Sequence, residues 1–338
     1  MKTLVVRIDH LGDLLLTTPL VRAFAQAGHE VDVLARRAFV PIFSASPFVR
    51  ESFSIEEVAP GFPSRWWKLS RWLRTRHYDL IVLAYAKEKR LCLASAFSGT
   101  SRRVAMWSGI WGRLTLHQCL RSEILTDPRP FSQILLRCAE AVGAPGKGLK
   151  PDLFLSESEQ AEARALIPPS LVGHTMIGIH AGSAGNACNL PSRVYAELAS
   201  QILSQTEHCI VLTGTAEEMK LLSDWPAETL KSERVWNALG KLDLRQLAAV
   251  VAEMAVYVCS STGPLHIASA MGTATVSPFC PAVPLNAAIW GNVGAPARVI
   301  EPETCPRRSG SEACCDFRGQ ISATQLLAEI QSLLNSRP

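Results

Sequence analysis

The sequence predicts an α/β protein made of two Rossmann-like halves, and three observations carry that prediction. Short runs rich in β-branched residues alternate with stretches whose apolar residues recur at helical spacing, the pattern of a parallel sheet with crossover helices. The alternation breaks near residues 143–169, where Gly and Pro are dense, and then restarts. The charge balance also reverses across the break: residues 1–150 hold 22 Lys and Arg against 12 Asp and Glu, and residues 151–338 hold 12 against 18.

In the first half, Thr3 to Ile8 reads as a strand, the polar turn Asp9-His10-Leu11-Gly12-Asp13 follows, and Leu14 to Gln26 carries a helical pattern. Val31 to Ala35, Leu80 to Ala84 and Arg103 to Ala105 read as further strands, with helices near Pro63 to Arg76, Lys87 to Phe97 and Pro130 to Val142. Gly143-Ala-Pro-Gly-Lys-Gly148 and the polar stretch ending at Pro168-Pro169 read as a linker. In the second half, Met176 to Ile179, Cys209 to Thr213, Ala255 to Cys259 and Ala274 to Ser277 read as strands. Helices are expected at Ser192 to Leu203, Glu217 to Asp224, Leu244 to Glu253 and Gly263 to Met271. The domains expected are therefore 1–155 and 170–320, with a last amphipathic helix in 321–338 placed to pack across the domain boundary.

A chain of 338 residues is longer than one core usually serves, and 48% apolar with 19% charged residues is a globular composition. Its longest apolar runs fall far short of the ~20 residues that span a bilayer, and Arg7, Asp9 and Asp13 interrupt the N-terminal stretch where a signal peptide would be continuous. The expectation is a cytoplasmic chain. The ten cysteines are scattered as buried thiols are; Cys305, Cys314 and Cys315 cluster, but without the CxxC pair and histidines of a zinc site.

In open α/β sheets ligands bind beyond the carboxyl ends of the strands, so the turns there are the places to look. Asp13 opens the first helix, where the helix N-terminus would stabilise its carboxylate and lower its pKa. Such a group is placed to accept a proton, and a plain helix cap by Asp13 or Asp9 is the alternative. The turn has one glycine and lacks the GxGxxG of a dinucleotide site, which argues against a nicotinamide-dependent dehydrogenase. In the second half, Ser260-Ser261-Thr262-Gly263-Pro264-Leu265-His266 follows a strand and opens a helix, an arrangement whose backbone amides suit a diphosphate. His266 would add a charge or a hydrogen bond there. The turn His180-Ala-Gly-Ser183-Ala-Gly185 is small enough for close approach to a ligand, and Glu217 after Gly214-Thr-Ala is a carboxylate that could take ribose hydroxyls or be a solvated helix start. Neither an Asp-x-Asp pair nor HExxH is present, so no metal is expected and the charge of a leaving diphosphate falls to helix dipoles and side chains.

The segment from Ser64 to Arg76 combines five basic residues and three tryptophans. At roughly 100° per residue, Trp66, Leu69, Trp72 and Leu73 share a face that belongs to the core, and Trp67, Lys68, Arg71 and Arg74 share the other. An exposed indole among cations suits a bilayer surface or a phosphorylated glycolipid better than a nucleic acid, for which no motif is present.

Taken together these segments resemble glycosyltransferase family 9, the heptosyltransferases of the lipopolysaccharide inner core. The stretch from Val5 to Leu20 is similar to the family's N-terminal signature, and the stretch from Ser261 to Gly272 to its C-terminal one. The resemblance implies a GT-B architecture, with two Rossmann-like domains facing a central cleft, an N-terminal acceptor domain and a C-terminal nucleotide-sugar domain. It also implies metal-independent, inverting transfer from a nucleotide sugar such as ADP-heptose to a phosphorylated glycolipid, at the cytoplasmic face of the inner membrane. By the same resemblance Asp13 is the general base, Thr262, Gly263 and His266 hold the diphosphate, and Glu217 binds the nucleoside, with Ser183 and Ser261 also on the donor side. Two departures lie on that side. Cys188-Asn-Leu-Pro191 stands where the family often has Lys-x-Trp-Pro, and Ser261 stands where an Asp often precedes Thr-Gly-Pro. Arg193 is the cation nearest in sequence to replace the lysine. A sugar-nucleotide epimerase and a catalytically silent nucleotide-binding partner in envelope assembly are the rival readings.

Overall fold

A computed structural model describes residues 1–85, 88–106, 109–120, 126–183, 185, 187–303 and 317–336. Cys305, Cys314 and Cys315 lie outside the described residues. The chain divides into two compact units, Met1–Phe154 and Leu155–Pro338. Each carries a six-stranded sheet in which every pairing is parallel.

In the first unit β1 (Lys2–Val6), β2 (Glu30–Ala35), β3 (Glu51–Ser54), β4 (Leu80–Leu83), β5 (Arg102–Met106) and β6 (Gln118–Leu120) pair in the order β3-β2-β1-β4-β5-β6. The central strands are buried along most of their length, as a sheet covered on both faces requires. Sequence periodicity does not distinguish β3 and β6, short edge strands with few apolar residues. The helix expected over Leu14–Gln26 is two helices, α1 (Leu11–Leu15) and α2 (Thr18–Gln26). Pro19 is the cause: it has no amide to give the preceding turn, and the Thr18 hydroxyl donates to the Leu15 carbonyl instead, at 2.7 Å. After α3 (Ile55–Val58), the helices α4 (Trp66–Arg76), α5 (Lys89–Ala96) and α6 (Gly109–Thr115) form one layer, α5 packing against both neighbours. The first unit closes with α7 (Phe131–Glu140), packed on α2.

The segment read as a linker is structured at both ends. Arg22 of α2 pairs with Asp152 and donates to the Gly148 carbonyl at 3.0 Å, so this stretch docks on the first unit. The polar stretch beyond it forms α8 (Glu157–Leu166), begun by a capping box between Ser156 and Glu159. Arg245 Nη2 also donates to Glu159 Oε2 at 2.6 Å, and the pairing holds that carboxyl down at about 2.

In the second unit β7 (Met176–His180), β8 (Cys209–Leu212), β9 (Val235–Asn237), β10 (Val256–Cys259), β11 (Ala274–Pro278) and β12 (Ala297–Ile300) pair in the order β12-β11-β10-β7-β8-β9. The helices are α9 (Ser192–Gln205), α10 (Ala227–Lys231), α11 (Leu244–Ala252), α12 (Gly263–Met271), α13 (Ala287–Trp290) and α14 (Ala323–Asn335). The helix expected over Glu217–Asp224 is a 3-10 helix, Ala216–Leu222. The C-terminal helix α14 places Leu326, Leu327, Ile330 and Leu333 in the second unit's core and packs on α9. In both sheets the connection direction reverses at the centre, between β1 and β4 and between β7 and β10, and each reversal opens a crevice at the carboxyl ends of the strands.

Candidate active site

At the first crevice, Arg7 leaves the end of β1 almost fully buried. Its guanidinium is tied on every side. Nε donates to Asp9 Oδ1 at 2.6 Å, Nη2 to Asp13 Oδ1 at 2.6 Å and Nη1 to the Ala84 carbonyl at 3.4 Å, while the ring centroids of Tyr85 and Phe131 lie 5.0 and 5.2 Å away. His10, not an aspartate, is the N-cap of α1, and no side chain bonds the free amides there. The capping alternative for Asp9 and Asp13 therefore fails: both carboxylates are directed to Arg7.

Asp13 is mostly buried, with a side chain 17% exposed. Burial pushes its carboxyl above the usual range, Arg7 opposes that shift, and the nearby Asp9 charge adds to it. The sequence expectation was a lowered value set by the helix terminus; desolvation outweighs that dipole. Oδ1 belongs to Arg7, and among the described residues no hydrogen bond engages Oδ2. A carboxylate with one anchored and one open oxygen, held above its usual range, can accept a proton.

The second crevice is built from the ends of β7, β8 and β10. His180 and Cys259 are register partners on adjacent strands, so the loops that follow them leave the sheet side by side. His180 is buried; its Nδ1 is 3.2 Å from Thr213 Oγ1, which lies 2.5 Å from the Tyr257 hydroxyl. Burial pushes this imidazole down and keeps it neutral, although Glu218 Oε2 is 4.0 Å from Nε2. In the next turn the Ser183 hydroxyl bonds within its own loop, to the Ala187 carbonyl at 3.4 Å and from the Gly185 amide at 3.2 Å. The loop is fixed by residues that sequence reasoning missed: Asn189 donates to the Ala181 carbonyl at 2.9 Å, and the Tyr195 hydroxyl donates to Asn189 at 2.8 Å. Cys188 points into the apolar core, and Arg193 stands exposed in the first turn of α9.

Thr262 is the N-cap of α12, extended in backbone, with no side-chain cap and with Pro264 in the first turn. Its amide donates to the Ser260 carbonyl at 2.7 Å. Pro264 carries no amide and the Leu265 amide donates to the Thr262 carbonyl at 3.0 Å, so among the described residues the Gly263 amide is the one at the helix start left without a bond. Two buried polar atoms there, Ser260 Oγ and His266 Nδ1, have no hydrogen-bond partner among the described residues. His266 is pushed down to about 4 by burial, so of the two roles read for it, a charge or a hydrogen bond, the neutral ring favours the hydrogen bond. Ser261 and Gly263 are half-buried at the same turn.

Glu217 is fully exposed on the 3-10 helix, and its neighbour Glu218 turns inward. Glu218 accepts from the Thr215 amide at 2.7 Å and lies against Gly182, where a Cβ would come within 1.9 Å of Oε1. Gly182 is needed for that approach. Among the described residues no group of three or more His, Cys, Asp or Glu side chains is arranged to hold a metal ion.

On α4 the two faces separate as the spacing requires. Leu69 and Leu73 are buried, Trp66 and Trp72 pack partly on the core, and Trp67, Arg71 and Arg74 are exposed with Lys68 half-buried. Arg74 is not a free cation, since its Nε donates to the Phe97 carbonyl at 2.6 Å.

The model of glycosyltransferase family 9 (heptosyltransferase) matches residues 66–307 of the chain. The chain belongs to glycosyltransferase family 9. It is 27% identical over 300 residues to lipopolysaccharide heptosyltransferase 2 of Escherichia coli (strain K12), covering 84% of each. The family 9 glycosyl transferase structure from Veillonella parvula DSM 2008 superimposes with a TM-score of 0.81 at 17% identity, covering 99% of this chain and 98% of that one. The E. coli ADP-heptose lps heptosyltransferase II structure gives 0.79 at 22% identity, with 99% of each chain covered. The two superpositions show the fold: two Rossmann-like domains of the GT-B class. Family membership makes the protein a glycosyltransferase.

Proposed function

We propose that this glycosyltransferase moves a heptose, with inversion and without a metal ion, from a nucleoside diphosphate such as ADP-heptose to a phosphorylated glycolipid acceptor of the lipopolysaccharide core. The observation that carries the reading is the Asp13 carboxylate, anchored through Oδ1 and open at Oδ2. Oδ2 takes the proton of an acceptor hydroxyl as that oxygen bonds to the anomeric carbon, and the bond from that carbon to the diphosphate oxygen breaks on the opposite side. The Gly263 amide at the start of α12, with the side chains of Ser261 and Thr262, meets the charge that develops on the diphosphate, and neutral His266 adds a hydrogen bond. Ser183, Glu217 and Arg193 border the donor. The kinship to a lipopolysaccharide heptosyltransferase supports the sugar and the acceptor class.

In this reading Trp67, Lys68, Arg71 and Arg74 face the acceptor or the membrane surface, and the enzyme works as a peripheral protein at the cytoplasmic face of the inner membrane. No helix among the described residues is long and apolar enough to cross a membrane. The test is Asp13→Asn. Proton removal by a positioned base contributes about 10² to 10⁴ in rate, so turnover should fall by that factor while nucleotide binding in a thermal-shift assay is kept. Full turnover by the folded variant would exclude Asp13 as the base.

A further inference from the structure

The layer formed by α4, α5 and α6 exposes more large apolar side chain than a solvated face requires. On α6, Ile110 is 70% and Leu114 73% exposed, one turn apart on the same side, with Trp111 and Arg113 exposed beside them. Phe97 at the C-cap of α5 and Trp67 on α4 are exposed as well. These residues sit on consecutive packed helices, and Phe97 is held in place. Its carbonyl accepts from Ser70 Oγ at 2.9 Å and from Arg74, and its ring centroid is 5.7 Å from that of Trp66. Apolar side chains grouped in this way gain by leaving water.

The surroundings say what they meet. Residues 58–120 contain 11 Lys and Arg, with Asp79 and Glu88 as the only acids. Arg71, Lys89 and Arg113, one from each helix, are exposed. Aromatic and aliphatic side chains among cations match a bilayer with anionic headgroups, where the apolar groups reach the acyl boundary and the cations lie at the phosphates.

We propose that this face, led by α6, docks on an anionic lipid bilayer, with Ile110, Trp111 and Leu114 inserted. The proposal deepens the reading of a lipid-linked acceptor by naming the element that enters the lipid. The test is co-sedimentation of the full chain with vesicles of phosphatidylcholine alone and of phosphatidylcholine with about a quarter phosphatidylglycerol. Binding should be at least about tenfold tighter to the anionic vesicles and should weaken with salt. The double variant Ile110→Ser/Leu114→Ser should lose at least about tenfold of that binding, with an unchanged melting temperature and unchanged transfer to a deacylated, water-soluble acceptor. Equal binding to the two vesicle types, or undiminished binding by the double variant, overturns the proposal. So does a dimer in sedimentation velocity that the same substitutions convert to monomer, which would make the face an interface with a second copy. If the unmodified enzyme transfers no sugar to the soluble acceptor, the acceptor assignment fails, and the vesicle result stands by itself.

Discussion

Arg7 Nη2 lies 2.6 Å from Asp13 Oδ1, and the same buried guanidinium holds Asp9 through Nε. One cation thus divides its charge between two carboxylates, and the affinity of Asp13 for a proton depends on that division.

Substitutions on the two sides of Asp13 should therefore move its titration in opposite directions. Arg7→Gln removes the charge that opposes burial, so the acid limb of the kcat/KM profile should move to higher pH. Asp9→Asn removes a like charge, so the limb should move to lower pH. Arg7→Gln should also destabilise by on the order of 3 kcal/mol where Asp13 is ionised, because a desolvated carboxylate loses its partner. The cost should shrink in acid, where the carboxyl is neutral. A profile that moves the same way in both variants would contradict this account.

His266 gives the fold a defined acid weakness. Its value in the folded chain is about 4, against about 6.5 for the unfolded chain, so the unfolded state takes up the proton first as pH falls. The contribution to stability is complete above about 6.5 and is lost between there and about 4, reaching about 3 kcal/mol. Thermal melts of the wild type and of His266→Gln between pH 8 and pH 4.5 should converge or cross in acid, with the wild type falling more steeply. Parallel curves would show that His266 carries no such burden.

Gly182 and Glu218 should behave as a coupled pair. Gly182→Ala forces the Glu218 carboxylate away from the Thr215 amide it caps, a loss of about 1 kcal/mol in stability together with weaker nucleotide binding. In a Glu218→Ala background the same alanine should cost little, because the carboxylate it strikes is gone. A double-mutant cycle in urea measures the difference, and additive costs would refute the contact as the cause.

How much of this was legible in the sequence follows from which forces act locally. The buried strands β1, β4, β7 and β10 were readable because burial on both faces demands continuous apolar runs. The edge strands β9 and β12 were not, because their pairing comes from a neighbour and their side chains remain partly exposed. Asp13 and the Ser261–His266 segment were singled out from their positions at strand ends, and the structure sets both beyond a strand, after β1 and β10. Arg7 fell inside the strand read over Thr3 to Ile8 and was given no role there, because only the two aspartates and the rings around it, brought together by the fold, make its burial possible. Glu217 and Glu218 are equivalent in composition, yet Thr215 and Glu218 already had the spacing of a capping box, the one signal that could have told them apart. The core position of Cys188 left no trace in its motif.

The brace from Tyr195 through Asn189 to the Ala181 carbonyl is anchored entirely within the second unit's own sheet and helix. Under the proposed donor assignment, the backbone at Ala181 is consequently set before any nucleotide arrives, and binding there spends little entropy on ordering it. Donor selection then resembles a fit to a finished mould, and altered sugar preference is to be sought by recutting the side chains that line it, with the brace left alone.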